Sequence, residues 1–295
     1  MPRIKKKTRG RSNGKEMAWR HILSLILGEY PEYFFSPVFG TFVYFIIVMG
    51  FGITVRQLNK RYSPDFLKSY VADFVSTMEM CGYFYENNNI MKHYGSVFLF
   101  IAIVIECLIS NRTFEGASEN PCKAFHELLM GRVQVLGAVV TIAIQTLAGL
   151  ASYRMAQAVW SLDFVLDHRE RFYETTCSSD LNTTLMVGLI LEMIATLMDT
   201  WINKQTLHSN GLIDEVIKAS NAAVMIILGI EWTGMYFNPA MASGHTFGCE
   251  GTAAGEHFLV YWLGPFIGCY LASIVDSVYH VDQSQTQADS EKKTN

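Results

Sequence analysis

The dipeptide Asn-Pro occurs twice in this chain, at residues 120–121 and 238–239, each time shortly after an apolar run. Asparagine is a preferred N-cap of helices, and proline fits the first helical position because its missing N–H would have no partner there. A short helix that begins after an apolar run, rather than in a polar loop, is typical of helices that start inside a membrane. Two such starts in two apolar half-chains predict an inverted-repeat membrane channel or transporter.

The two halves of the chain share a second feature. Asp73 lies one helical turn before Thr77, and Glu192 lies one helical turn before Thr196. The acid also precedes its Asn-Pro by a nearly equal distance in both halves, from residue 73 to 120 and from 192 to 238. The order of acid, span, Asn-Pro and span therefore occurs twice, which indicates an internal two-fold repeat.

The composition agrees with a protein that spans a membrane. Half of the residues are hydrophobic and only 17% are charged, and several charge-poor runs approach the length that crosses a bilayer. We expect long helices at about residues 36–55, 66–87, 94–110, 133–153, 184–202, 213–230 and 258–278, with short ones at 121–130 and 239–248. A polar link, residues 87–89, should separate the second and third helices.

Charge and cysteine content exclude some classes of function. A net charge of −4 gives no support for a nucleic acid partner. The six cysteines form no CxxC pair and most lie in apolar runs, so we expect buried small hydrophobes rather than disulfides or a zinc site. No nucleophile–base pair or metal set is evident, so the chain is not expected to be an enzyme or to hold a cofactor or a metal.

The chain divides into five regions. We expect residues 1–35 to form a basic tail and an interfacial segment, and residues 36–65 an extra N-terminal hydrophobic helix with its linker. Residues 66–180 hold the first repeat, residues 181–280 the second repeat, and residues 281–295 a polar C-terminal tail.

Four stretches resemble the aquaporin (major intrinsic protein) family. The segment IEWTGMYFNPA at 230–240 is similar to the family's TGxxxNPA motif, and YWLGPFIG at 261–268 to its last-helix signature. ADFVST at 72–77 and LEMIAT at 191–196 are similar to its acid-containing first and fourth helices. The motifs Asn120-Pro121-Cys122 and Asn238-Pro239-Ala240, together with Cys249, resemble the superaquaporin branch, whose members are largely intracellular.

This resemblance implies an all-α polytopic membrane protein with the aquaporin fold. The fold has six transmembrane helices and two re-entrant half-helices arranged as an inverted repeat, here with an extra N-terminal hydrophobic helix. It implies passive diffusion of water and small neutral solutes such as glycerol or hydrogen peroxide across the lipid bilayer, in a homotetramer with one pore per subunit. Neither a cofactor nor catalysis is implied.

The family's narrow filter corresponds by position to Phe100, Ile226, Met235 and Met241. Water-selective members carry a histidine where this chain has Ile226 and an arginine where it has Met241. Flexible methionines predict a wider, apolar aperture that passes glycerol or hydrogen peroxide, although they could also pack shut. The alternative is that these residues are core packing and that the filter lies elsewhere.

The intramembrane charges allow two interpretations. Asp73 and Glu192 are costly in a bilayer, so they either relay protons or accept hydrogen bonds from the irregular backbone before each half-helix, which the repeat favours. Glu119 and Lys123 flank the first motif. They either form a charge pair, with Glu106 as a third partner, or are solvated in a wide vestibule. A proton-coupled transporter that uses the buried acids is one rival function, and a non-conducting scaffold plugged by the two filter methionines is another.

The chain ends carry signals of location. The last four residues, Lys-Lys-Thr-Asn at 292–295, resemble a di-lysine retrieval signal of the endoplasmic reticulum, which is read from the cytosol. The family's core has both ends in the cytosol. If residues 36–55 cross the membrane, the basic N-terminus is luminal, against the positive-inside tendency. The segment therefore either overrides that tendency or packs beside the bundle without crossing.

Overall fold

The computed structural model describes residues 36–278, and this part of the chain is helical, as predicted. The basic tail and interfacial segment at 1–35 and the di-lysine signal lie outside the described residues. The helices are α1 (Pro37–Tyr62), α2 (Asp65–Thr113), α3 (Pro121–Leu129), α4 (Val135–Trp160), α5 (Leu166–Tyr173), α6 (Leu185–Lys204), α7 (Gly211–Thr233), α8 (Pro239–Thr246) and α9 (Ala254–Val278).

The long helices account for the predicted spans. Helices α1, α2, α4, α6 and α9 are long and apolar enough to cross a membrane. Helix α7 has 23 residues, which corresponds to about 35 Å, and packs against α2 and α6. Helix α2 has 49 residues and is broken at Gly95, so it supplies two spans. The described bundle therefore contains six core spans together with α1, and α9 passes through a π-helical turn at Leu259–Leu263.

The turn between the halves of α2 lies at Gly95, and the predicted polar link at residues 87–89 is wrong. Gly95 has φ 78° and ψ −175°, a conformation that costs glycine little because it has no Cβ. Asn87 Nδ2 donates to Glu106 Oε2 at 2.9 Å across this turn. The asparagines at 87 and 89 are buried within the helix, and the amide nitrogen of each donates to a carboxylate inside the bundle, Asn87 to Glu106 and Asn89 to Glu86.

Helix α1 is attached to the first half of α2 by buried polar contacts. Arg56 Nη1 lies 2.7 Å from Glu79 Oε2, and these residues are only 3% and 1% exposed. Closer to the start of α1, Thr41 Oγ1 donates to Glu86 Oε1 at 2.7 Å. Breaking a buried ion pair leaves an uncompensated charge in the interior, which is strongly destabilising. These contacts therefore hold α1 against the first half of α2.

Glycines allow the half-helix α8 to approach α4 closely. A Cβ on Gly149 would lie 2.1 Å from the carbonyl oxygen of Ala240, and a Cβ on Gly244 would lie 2.2 Å from the carbonyl oxygen of Gly149. No side chain fits at either distance, so the backbones of α4 and α8 are in direct contact. The start of α8 is therefore positioned by main-chain packing.

The expectation that all cysteines are unpaired is wrong. Cys177 and Cys249 form a disulfide, while Cys81, Cys107, Cys122 and Cys269 are free thiols. The disulfide joins the segment before α6 to the segment after α8. Beside it, Ser179 N donates to Glu250 O at 2.7 Å. The two cysteines are 72 residues apart in the sequence, and only the fold brings their loops side by side.

Candidate pore

The two Asn-Pro motifs start the half-helices α3 and α8, and each asparagine caps its own helix. The side-chain oxygen of Asn120 accepts from the backbone N–H of Cys122 at 2.9 Å. The side-chain oxygen of Asn238 accepts from the N–H groups of Ala240 at 3.0 Å and Met241 at 3.3 Å. Each cap pairs backbone donors that a helix start otherwise leaves without partners.

The same asparagines join the two half-helices tip to tip. Asn120 Nδ2 donates to the carbonyl oxygen of Phe237 at 3.1 Å, and Asn238 Nδ2 donates to the carbonyl oxygen of Glu119 at 3.0 Å. The accepting residue in each case directly precedes the other asparagine. This reciprocal pair brings together two helix N-termini, each of which carries a partial positive charge.

A cavity of about 1000 Å³ leads to this junction. At one end it is lined by the exposed residues Asn111, Gly116 and Lys123, on the side of the bundle from which α3 enters. Both asparagines line it, and beside α8 its lining includes the buried residues Tyr236 and Met241. In the following, the two ends are called the α3 side and the α8 side.

Glu192 holds the backbone that leads into α8. The carboxylate is fully buried and accepts from the Thr233 hydroxyl at 2.7 Å and from the N–H groups of Tyr236 at 3.1 Å and Phe237 at 2.7 Å. Met235 and Phe237 have φ values of 46° and 32°, which are strained for residues with a side chain. Because a peptide N–H and its C=O point in opposite directions, Glu192 turns the adjacent carbonyls away from itself.

Asp73 has the corresponding position before α3. Its Oδ1 accepts from the Ser118 N–H at 2.7 Å, and the Thr77 hydroxyl donates to the Asp73 carbonyl at 2.7 Å. Gln145 Nε2 donates to the Ser118 carbonyl at 3.1 Å from α4. In both halves, an intramembrane carboxylate therefore pairs backbone donors of an irregular segment that has no helical partners of its own.

Comparison with known proteins agrees with this geometry. The sequence profile described as major intrinsic protein matches residues 32–276. The chain belongs to the major intrinsic protein family, the aquaporins. It is therefore a multi-pass membrane protein of a channel family.

Three relatives lie in the superaquaporin branch. The chain is 24% identical over 228 residues to Aquaporin-11 of Milnesium tardigradum, a match that covers 76% of this chain and 83% of the relative. It is 23% identical over 248 residues to Aquaporin-11 of Homo sapiens, covering 81% and 88%. It is 28% identical over 183 residues to Aquaporin-12 of Mus musculus, covering 62% and 63%.

Three of the four predicted filter residues line the inner end of the cavity of this aquaporin. Ile226, Met235 and Met241 are each less than a tenth exposed and lie along it. Met235 packs closely against Gly229, since a Cβ added to Gly229 would lie 1.8 Å from the methyl carbon of Met235. Phe100 is partly buried against the same apolar cluster but does not line the cavity.

An aromatic cluster, which the sequence analysis missed, follows on the α8 side. It consists of Phe84, Tyr85, Tyr236 and His245, and the ring of His245 stacks on Tyr85 with centroids 3.7 Å apart. The Tyr236 hydroxyl donates to the carboxylate of Asp180 in the loop before α6. Burial raises the pKa of Asp180, although this hydrogen bond acts in the opposite direction.

The charged residues beside the first motif form one pair. Lys123 and Glu119 make an ion pair one turn apart at the start of α3. Among the described residues Glu106 makes no ion pair with Lys123, and its carboxylate accepts from Asn87 instead. The lysine side chain is 59% exposed, so the pair lies at the open part of the cavity.

Proposed function

We propose that the protein is a channel for passive diffusion of water and small neutral solutes such as glycerol or hydrogen peroxide. The observation that carries the proposal is the pair of reciprocal hydrogen bonds between the half-helix tips, at 3.1 and 3.0 Å, beside a long cavity. Each amide nitrogen has two N–H groups and gives one to the opposite motif. The second N–H of Asn120 and of Asn238 can hold the oxygen of a permeating molecule.

The arrangement favours neutral solutes over cations. Two helix N-termini meet at the asparagines, so the potential there is positive. A cation or a hydronium ion would lose water at this point and gain no compensating acceptor from the asparagines. This is the barrier by which aquaporin-type pores combine water passage with exclusion of protons.

The apolar filter position supports a broad range of neutral solutes. Ile226, Met235 and Met241 offer no fixed charge, and methionine side chains adapt to different shapes. Water-selective members carry an arginine at the position of Met241. A pore that lacks this fixed charge should exclude solutes larger than water less strictly. Glycerol and hydrogen peroxide are therefore proposed together with water.

The aromatic cluster favours a second candidate, a non-conducting membrane scaffold. Phe84, Tyr236 and His245 fill the α8 side beyond the filter position, and the hydrogen bond from Tyr236 to Asp180 holds one of them in place. In that case Met235 and Met241 would plug the pore. Vesicles that contain the protein would then be no leakier than empty vesicles.

A proton-coupled transporter receives less support. The carboxylates of Asp73 and Glu192 both accept hydrogen bonds from backbone N–H groups, which is a structural role. A coupled transporter would respond to a pH gradient. Solute flux that does not change with such a gradient would exclude this function.

The central experiment is reconstitution of the full-length protein into liposomes. Stopped-flow swelling should show permeability to water, glycerol and hydrogen peroxide above that of empty liposomes. Asn238→Leu should abolish it, because it removes both the cap and the link to α3. The matched control is Asn210→Ala, since Asn210 caps α7 through Leu212 and Ile213 outside the junction. Equal permeability of protein-containing and empty vesicles would refute the proposal.

We further propose a homotetramer in the endoplasmic reticulum membrane. The support is the family resemblance together with the C-terminal Lys-Lys-Thr-Asn sequence. Replacement of residues 292–293 by serine should move the protein out of the endoplasmic reticulum in fluorescence imaging. A glycosylation tag at the N-terminus tests whether α1 crosses the membrane, since only a luminal end is modified.

A further inference from the structure

One wall of the cavity carries polar atoms that have no hydrogen-bond partner among the described residues. They are Asn87 Oδ1, Glu106 Oε1 and Ser110 Oγ, all on α2 and all buried. All three residues line the cavity. Buried polar atoms normally have partners, and leaving them without one costs about 1–3 kcal/mol each. Three on one wall of a pore therefore indicate a place where a permeating molecule supplies the partners.

The three residues form one connected group. Glu106 and Ser110 are one turn apart on the same face of the second half of α2. Asn87 reaches them from the first half, where its Nδ2 donates to Glu106 Oε2 at 2.9 Å. That bond directs the amide nitrogen toward the carboxylate and leaves Asn87 Oδ1 as an acceptor. The wall therefore offers a carboxylate oxygen, an amide oxygen and a hydroxyl.

The half-helix tips supply the complementary groups. Asn120 and Asn238 line the same cavity, and their amide N–H groups are donors. A molecule in the cavity meets donors on the half-helices and acceptors on α2. A hydroxyl both donates and accepts, so a solute with several hydroxyls satisfies both sets at once.

We propose that Asn87, Glu106 and Ser110 form a binding site for small polyols within the pore. The site rests on the proposed channel function and adds a specificity determinant to it, separate from the predicted filter. It lowers the barrier for polyols because its acceptors replace the water that polyol hydroxyls lose. Water needs fewer partners than a three-carbon triol and depends less on this wall.

The nearby charges argue against a cation as the ligand. Lys123 lines the same cavity, and both half-helix tips present positive ends. A cation held by the Glu106 carboxylate would face these positive groups. The other carboxylates along the cavity already have partners among the described residues: Glu119, Glu127 and Glu215 are paired with Lys123, Arg132 and Arg112. Asp73 accepts from the Ser118 N–H, and Asp199 accepts from Asn203.

Flux measurements with matched variants test the site. Glu106→Leu should lower glycerol permeability about tenfold relative to water permeability, since it removes the hydrogen bonds that the Glu106 carboxyl group offers to the solute. Glu106→Gln keeps an acceptor and should cause a smaller loss, and Ser110→Ala a loss of a few-fold. Glu231→Leu, at an exposed position of α7, is the control and should change neither permeability.

An unchanged glycerol-to-water ratio in Glu106→Leu would overturn the site while leaving the channel function intact. A potassium current in the wild type that Glu106→Leu abolishes would make it a cation site, and the polyol assignment would be wrong. If the wild type conducts neither water nor glycerol, the proposed channel function fails, and a separate binding measurement then decides the site.

Infrared difference spectroscopy supplies that measurement. Spectra of wild type minus Glu106→Gln in detergent isolate the bands of the Glu106 carboxyl group. Glycerol should shift these bands, while 1-propanol, with the same number of carbons and one hydroxyl, should not. Bands that glycerol leaves in place would overturn the site whatever the flux experiments show.

Discussion

Substitution of Glu192 tests how the backbone before α8 is held. Its carboxylate pairs the N–H groups of Tyr236 and Phe237 and the hydroxyl of Thr233. In Glu192→Leu both backbone donors lose their partner, at about 1–3 kcal/mol each, so the total cost is about 2–6 kcal/mol. In Glu192→Gln the amide oxygen can keep the two bonds at Oε1, while an NH₂ group faces the Phe237 N–H. The free energy of unfolding of Glu192→Gln should therefore fall by about 1–3 kcal/mol.

The assay is thermal unfolding of the purified protein in detergent, combined with water flux in liposomes. At about 2–4 °C per kcal/mol, Glu192→Gln should lower Tm by roughly 2–12 °C, and Glu192→Leu by more. The strained residues Met235 and Phe237 depend on the same bonds, so water permeability should fall in the same order. Glu231→Leu is the control. Equal Tm values for wild type and Glu192→Leu would refute the reasoning.

Three further predictions concern other parts of the molecule. Met241→Arg should lower glycerol permeability several-fold relative to water in the swelling assay, and an unchanged ratio would contradict the filter assignment. Gly149→Val should displace α8 and lower Tm in detergent, because its Cβ would lie 2.1 Å from a carbonyl oxygen, whereas Gly137→Val has open space and should be tolerated. Burial opposes ionisation of Asp167, but hydrogen bonds from Lys92 and His93 outweigh it and hold its pKa below the usual value. The stability from Asp167 is therefore present above the unfolded pKa of about 4 and is lost as pH falls through the lower folded pKa. Asp167→Asn should reduce the acid-induced fall in Tm, and an identical pH profile would contradict this.

Several features of the fold follow from residues that are close together in the sequence. Helix starts at Asn120 and Asn238 depend on an asparagine, a proline and the next few backbone N–H groups. The spans depend on the hydropathy of about 20 consecutive residues. The two-fold repeat adds that Asp73 and Glu192 have corresponding positions. Local chemistry and repetition were sufficient to predict a membrane protein with an inverted repeat, and the resemblance of four motifs indicated the family.

Other contacts join residues that are far apart in the sequence. Cys177 and Cys249 are paired because two loops meet on the α8 side, and their spacing gives no sign of this. Asn87 donates a hydrogen bond to Glu106 because α2 turns at Gly95. The run of asparagines at 87–89 had predicted a polar link instead.

Which residues line the filter and the pore wall also depends on contacts between distant parts of the chain. Phe100, Ile226, Met235 and Met241 were assigned by ungapped offsets from the family, but the rotation of a helix about its axis decides which side chain meets a cavity, and such offsets do not fix that rotation. Hydropathy and capping are properties of short segments, so the chain by itself determined the spans and the two half-helices. Which polar groups meet across the pore depends on how those helices pack, and only the tertiary structure decided it.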